Sequence, residues 1–183
     1  KSIRRRYRPE TLILETEIET GSGAVRLIDF MPPRGTNPDI VRIIEGIRGK
    51  VRMQMELTIR FDYGQIVPWV RRLHGGLEAI AGPDALILHT PIATCGKDLT
   101  TVAEFTVAKG ERVPFVLTWF QSHEQPPREV DPEKALLETQ RYWTDWSNRC
   151  EHHGEWREAV LRSFNSIRPD LRTAGRHCCH FHY

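Results

Sequence analysis

Five of the last seven residues, His177, Cys178, Cys179, His180 and His182, carry nitrogen or sulfur donors. That is the donor set zinc takes in structural sites. Their order does not suit one ion. Zinc ligands usually come in pairs two to four residues apart, whereas Cys178 and Cys179 are adjacent, and no second ligand pair lies elsewhere in the chain. We therefore expect no metal and no cofactor. His123 beside Glu124 could form an acid–base pair, but a lone His-Glu pair in a loop is common and usually inert. The opening KSIRRRYR could bind a polyanion. No basic helix or RNA-binding motif accompanies it, and the acidic ETEIE run follows at once, so a strand with solvated charges is the simpler reading. The tryptophans Trp69, Trp119, Trp143, Trp146 and Trp156 could stack on sugar rings, yet their helical or strand spacing fits a core. No phosphate-cradling glycine loop, nucleophile elbow or metalloprotease helix occurs. No residue is assigned a catalytic role, and no substrate-binding set can be read.

The rest of the chain is ordinary globular sequence. Its 183 residues are 39% hydrophobic and 27% charged, enough for one domain with a core, or one plus part of a second. A net charge of +2 gives no reason to expect nucleic acid as a partner. No apolar run approaches the roughly 18 to 20 residues needed to span a bilayer, so no membrane partner is expected. Cys95 and Cys150 stand far apart in unrelated contexts. They read as buried thiols in a reducing compartment, which makes the cytoplasm the expected location. The chain opens on Lys1 with strand-like sequence, as an internal start would.

Val51 to Asp62 alternate without a fault, with Val51, Met53, Met55, Leu57, Ile59 and Phe61 on one face and charged or polar residues on the other. Period-two alternation predicts a strand with one buried and one wet face. Leu12, Leu14, Thr16 and Ile18 alternate likewise against Glu15, Glu17 and Glu19. Further strands are expected over 24–30, 40–47, 77–81, 85–90, 100–108 and 113–120, separated by glycine- and proline-bearing turns. Many short strands with one-sided faces predict a mainly β fold, an antiparallel β-sandwich.

After Phe120 the pattern changes. QSHEQPPREV is a polar linker, and Asp131-Pro132-Glu133 has the form of an N-cap, a first-turn proline and an acidic first turn. Leu136, Trp143 and Cys150 repeat every seven residues, with Thr139 and Trp146 nearby, predicting a helix to about Cys150. A second helix is expected from Glu155, with Trp156, Val160, Leu161 and Phe164 on its apolar side. From Pro169 onward neither period is present.

RRYRPETLILETEIET, VRLIDFMPPRG, RFDYGQIVPWVRR, LTTVAEFTVAKGERVPFVLTW and WREAVLRS, in that order from about Arg4 to Ser163, resemble the N-terminal region of bacterial glycoside hydrolase family 15, the glucoamylase-like and trehalase-like enzymes. The resemblance implies a β-sandwich over 1–122 and a linker with its helix over 123–152. The start of a catalytic α/α barrel would follow over 153–167. That barrel would be the domain's partner. It also implies a parent enzyme that hydrolyses α-glucosidic bonds with inversion, using an acid and a base roughly 6.5–9.5 Å apart. Both carboxylates would lie in the barrel, so the chain alone is expected to be inactive. With the barrel absent, Trp143, Trp156 and Leu161 are expected to be exposed.

Residues 168–183 depart from the family. One base later, the codons for Arg168 to Tyr183 permit GLIYAPPGGIVATST, close to the family's next segment, so the tail reads as a frameshifted shadow of an Ala/Thr/Gly-rich stretch. The frame change would fall near Ser166 to Arg168, and Asn165 already fits the family poorly. Two rival readings stay open: a standalone carbohydrate-binding module, and a zinc- or nucleic-acid-binding module.

Overall fold

A computed structural model describes the chain apart from residues 34, 151–153, 168–177 and 183, and describes the backbone alone at 164, 166, 167 and 178–182. The described residues form the strands β1 (Ser2–Tyr7), β2 (Leu14–Thr20), β3 (Gly23–Phe30), β4 (Asp39–Arg60), β5 (Trp69–Leu73), β6 (Gly76–Ala81), β7 (Asp84–His89), β8 (Cys95–Lys97), β9 (Thr100–Ala108) and β10 (Arg112–Gln121), the helices α1 (Pro132–Ser147) and α2 (Arg157–Ile167), and a last strand β11 (Cys178–His182). All the strand pairings are antiparallel. The fold is mainly β and sandwich-like.

The strands expected over 40–47 and 51–62 are one strand of 22 residues, β4, shared by both sheets. Its first half lies between β3 and β10 in the larger sheet, ordered β1-β2-β3-β4-β10-β7-β6-β5. Its second half pairs with β9, which pairs in turn with β8, to make the smaller sheet. Between the halves a register shift leaves Ile47 unmatched, since Val25 faces Gly46 while Ala24 faces Arg48. Such a bulge bends a strand and lets it change sheets. The β9–β10 turn closes the same corner: Gly46 N donates to Glu111 O, Gly110 N to Gly46 O and Lys109 N to Gly49 O, each at 2.9 Å.

The alternating set of β4 does what its period requires. Val51, Met53, Met55, Leu57, Ile59 and Phe61 are all buried, facing Val25, Leu27, Leu86, Leu88, Phe115 and Leu117 of the larger sheet across the main core. Strand β10 does not alternate, because both its faces are covered. Val113, Phe115 and Leu117 enter the sandwich core, while Val116 meets Ala135 and Leu136 of α1 on the opposite side. Helix α1 starts as expected: the Asp131 carboxylate accepts from Glu133 N at 3.0 Å and Lys134 N at 3.1 Å. It lies on the outer face of the larger sheet, against Ile13, Ile28, Phe30, Val41 and Ile43.

The basic opening and the acidic run after it are partners. The register sets Arg4 opposite Glu17, Glu17 opposite Arg26, Arg26 opposite Glu45 and Glu45 opposite Arg112. One row of alternating charge thus crosses five strands. Arg26 reaches Glu17 at 2.9 Å and Glu45 at 3.3 Å; Arg112 reaches Glu45 at 2.6 Å and, at 2.7 Å, Glu133 in the first turn of α1. Cross-strand pairs of opposite charge stabilise a given register, and like charges there oppose it.

Glu15, expected on the wet face, is buried. Burial on its own would raise its pKa, but Arg8, with Arg26 and Arg6, outweighs that and holds the carboxyl below the ordinary glutamate range. Arg8 Nε donates to it at 2.7 Å. A carboxylate held low in the folded state contributes stability above its unfolded pKa, and that contribution is lost as pH falls through the folded pKa. Glu15→Gln is therefore expected to lower the thermal midpoint at pH 7, with the gap to the unmodified protein narrowing as pH falls below the ordinary glutamate range. A gap that stayed constant with pH would contradict this. Asp39 works in the opposite direction: burial raises its pKa despite a 2.5 Å hydrogen bond from Thr118, so its contribution is lost as pH rises.

Several expectations are corrected. Trp143 and Leu161 are buried, because α1 and α2 pack on the sheet and on the β1–β2 turn; Trp156, at 69% exposure, is open, and Val160 beside it is partly so. Cys95 is exposed, since the three residues of β8 form an edge strand, and Cys150 is half-buried; both are free thiols. The tail, which has no period, contributes β11 along β4, with Cys178 opposite Arg60 and His182 opposite Glu56. Backbone pairing at a strand edge needs no side-chain period. Among the described residues, no helix is long and apolar enough to cross a membrane.

Candidate functional site: the corner between the β1–β2 turn and α2

The residues singled out for chemistry do not converge. His177 lies outside the described residues, and of Cys178, Cys179, His180 and His182 the backbone alone is described. Among the described residues no group of three or more His, Cys, Asp or Glu could hold a metal ion. His123 and Glu124 are exposed in the turn after β10. Arg4 and Arg6 are engaged by Glu17 and Glu15. Trp119 packs against the sandwich core and donates to Asp84 Oδ1 at 2.9 Å. Trp143 is buried, Trp146 half-buried and Trp69, on edge strand β5, 72% exposed.

What the fold does bring together lies at the corner between the β1–β2 turn and the two helices. Arg8-Pro9-Glu10-Thr11 makes that turn, with Thr11 N and Thr11 Oγ1 both donating to Arg8 O at 3.1 Å. Proline holds its own φ and biases Arg8 to extended backbone. Glu10 then takes φ +61°, a left-handed conformation that is uncommon outside glycine, asparagine and aspartate. Its carbonyl accepts from Ser147 Oγ at 2.7 Å and from Asn165 Nδ2 at 3.5 Å. Its carboxylate accepts from Arg157 Nη2 at 3.2 Å. Ser147, at the end of α1, and Asn165, on the inner face of α2, are both buried, and their side chains are 3.5 Å apart. Arg8 also reaches Gln140 Oε1 of α1 at 2.8 Å.

A cleft of about 390 Å³ opens here, lined by Tyr7, Glu10, Arg157, Glu158, Leu161 and Arg162 among others. A second, of about 420 Å³, shares Tyr7 and Arg162 and runs to Trp143 and Phe30. Between them the Arg162 guanidinium sits 3.8 Å from the centre of the Tyr7 ring, a cation–π contact. Hydrolysis of a glycosidic bond needs one carboxylic acid and one free carboxylate across the bond. Glu10 is bound to Arg157, so its carboxylate ties the β1–β2 turn to the start of α2.

Sequence reasoning missed Tyr7, Glu10, Ser147 and Asn165 as a set. The signals were slight: the X-Pro turn at Pro9, and a polar Asn165 on an otherwise apolar helix face. Asn165 is buried in this corner. No protein-family profile, no curated protein and no solved structure matches the chain.

Proposed function

We propose that the chain is the N-terminal β-sandwich and linker of a family 15-like glycoside hydrolase, glucoamylase-like or trehalase-like. It would brace an α/α barrel that continues from α2 and would act on no substrate alone. In the parent, the barrel would supply the acid and base that invert an α-glucosidic bond, in a cytoplasmic setting compatible with the free thiols.

The observation that supports this most is the order of parts. A sandwich is followed by a helix laid on its outer sheet, then by a second helix formed from WREAVLRS with Trp156 uncovered. The quoted stretches imply that order, and the reading rests on those stretches. Sequencing the coding DNA from codon 160 and several hundred bases downstream tests it. One added or lost base, after which the frame reopens into a helical barrel segment, is the expected result. An unbroken frame ending in a stop codon after Tyr183 would overturn it.

A second reading draws on Trp69, whose exposed ring could stack on a sugar. A standalone carbohydrate-binding module would show saturable quenching of tryptophan fluorescence by maltose or trehalose oligomers.

A further inference from the structure

We propose that the β1–β2 turn is a conformational latch that holds α2 on the sandwich, with the left-handed backbone of Glu10 as its moving part. This goes beyond the family reading and does not depend on it.

Three features converge on one residue. Glu10 takes φ +61° with a full side chain, a conformation that persists in a non-glycine residue when its surroundings hold it. What holds it comes from the two helices. Ser147 Oγ of α1 and Asn165 Nδ2 of α2 both bond the Glu10 carbonyl, and Arg157, the first residue of α2, bonds its carboxylate. Asn165 is only 2% exposed; its Nδ2 is shared between the Glu10 carbonyl and Ser147 Oγ, each at 3.5 Å, and a buried amide that loses one of its two acceptors is weakened. The left-handed turn and the docked α2 therefore require one another. If α2 lifts away, the carbonyl loses its donor from α2 and Glu10 is free to relax to negative φ. If Glu10 relaxes first, its carbonyl turns away and Asn165 is left buried without that acceptor. The Arg162–Tyr7 contact sits at the same corner and opens with it.

The coupling predicts opposite outcomes for two substitutions that remove the same carboxylate. Glycine adopts positive φ readily, whereas a β-branched residue resists it. Hydrogen exchange of the α2 amides would be compared in the full chain and in the variants Glu10→Gly, Glu10→Val and Ser147→Ala. In Glu10→Gly, α2 should exchange as slowly as in the unmodified protein, or more slowly. In Glu10→Val it should exchange roughly tenfold faster, and Ser147→Ala should also speed it, while β4 and β10 stay protected in all. Equal exchange in Glu10→Gly and Glu10→Val would overturn the latch, because the carboxylate or nothing would then matter. Should Glu10→Val fail to fold, the other pair decides: unchanged α2 exchange in Ser147→Ala, or exchange as fast in Glu10→Gly as in Ser147→Ala, is equally fatal.

Discussion

Gly46→Ala is expected to lower the urea midpoint of unfolding sharply, by a loss of about 4 kcal/mol or more. A Cβ on Gly46 would lie 2.0 Å from the carbonyl oxygen of Ala108 and 2.6 Å from its carbon. Both are backbone atoms, so no side chain can swing aside. Gly46 is also tied on both sides, its N–H to Glu111 and its carbonyl to Gly110. This is where β4 leaves one sheet for the other, and any shift that relieves the clash must move the β9–β10 turn. Both sheets depend on that corner, so the strain cannot stay local. Costs above about 4 kcal/mol are exceptional for one substitution and come from such named causes. This one is expected in that range, against a total domain stability of about 5–15 kcal/mol. Gly21→Ala is the matched control. Nothing lies within 4 Å of a Cβ there, and its urea midpoint should correspond to a change within about 0.5 kcal/mol. If both variants unfolded at the same urea concentration as the unmodified protein, the account of the corner would be wrong.

The second large effect concerns Glu78, which is 2% exposed on β6. Its carboxylate is held by the Nε of Arg71 on edge strand β5, with Arg71 opposite Glu78 in the register. The pair lies on the outer face, where Leu73 and Ile80 pack against Ala85, Ile87 and Phe120. Removing one member of a buried ion pair leaves a charge in an apolar setting, whereas replacing both with apolar groups is often neutral or better. Arg71 itself is half-exposed, so solvent screens the pair and Arg71→Leu is expected to cost about 1–2 kcal/mol, measured by urea denaturation at pH 7. Adding Glu78→Leu to that variant should restore most of the loss. A double variant no more stable than Arg71→Leu would show that Glu78 does something for the fold beyond meeting Arg71.

Much of the architecture was legible in the residues alone. Alternation is a local property, so Val51 to Phe61 had to bury one face whatever lay opposite, and the strands over 24–30, 77–81, 85–90, 100–108 and 113–120 follow the same logic. The start of α1 was legible for a similar reason, since Asp131, Pro132 and Glu133 act on the backbone within one turn. Of the strands that went unread, β5 and β8 lie at sheet edges and are exposed nearly throughout. With no buried face, they carry no hydrophobic period to betray them.

What only the tertiary structure decided is which distant residues meet. Glu15 looks solvated in an acidic run, but it is buried, with Arg6 and Arg8 on its carboxylate and Arg8 tied in turn to Gln140 of α1. RRRYR and ETEIE look like a cationic patch and an acidic patch, and become one row of pairs because an antiparallel register sets them face to face. Two apparent strands become one, because Gly46 and a bulged Ile47 allow a bend that alternation cannot announce. The corner at Glu10 collects groups from residues 7 to 165. No local period encodes a carbonyl that must wait for a serine and an asparagine from two helices far along the chain. The sequence alone determined the faces each element must bury; cross-strand register and helix docking, which depend on distant neighbours, decided what each face meets.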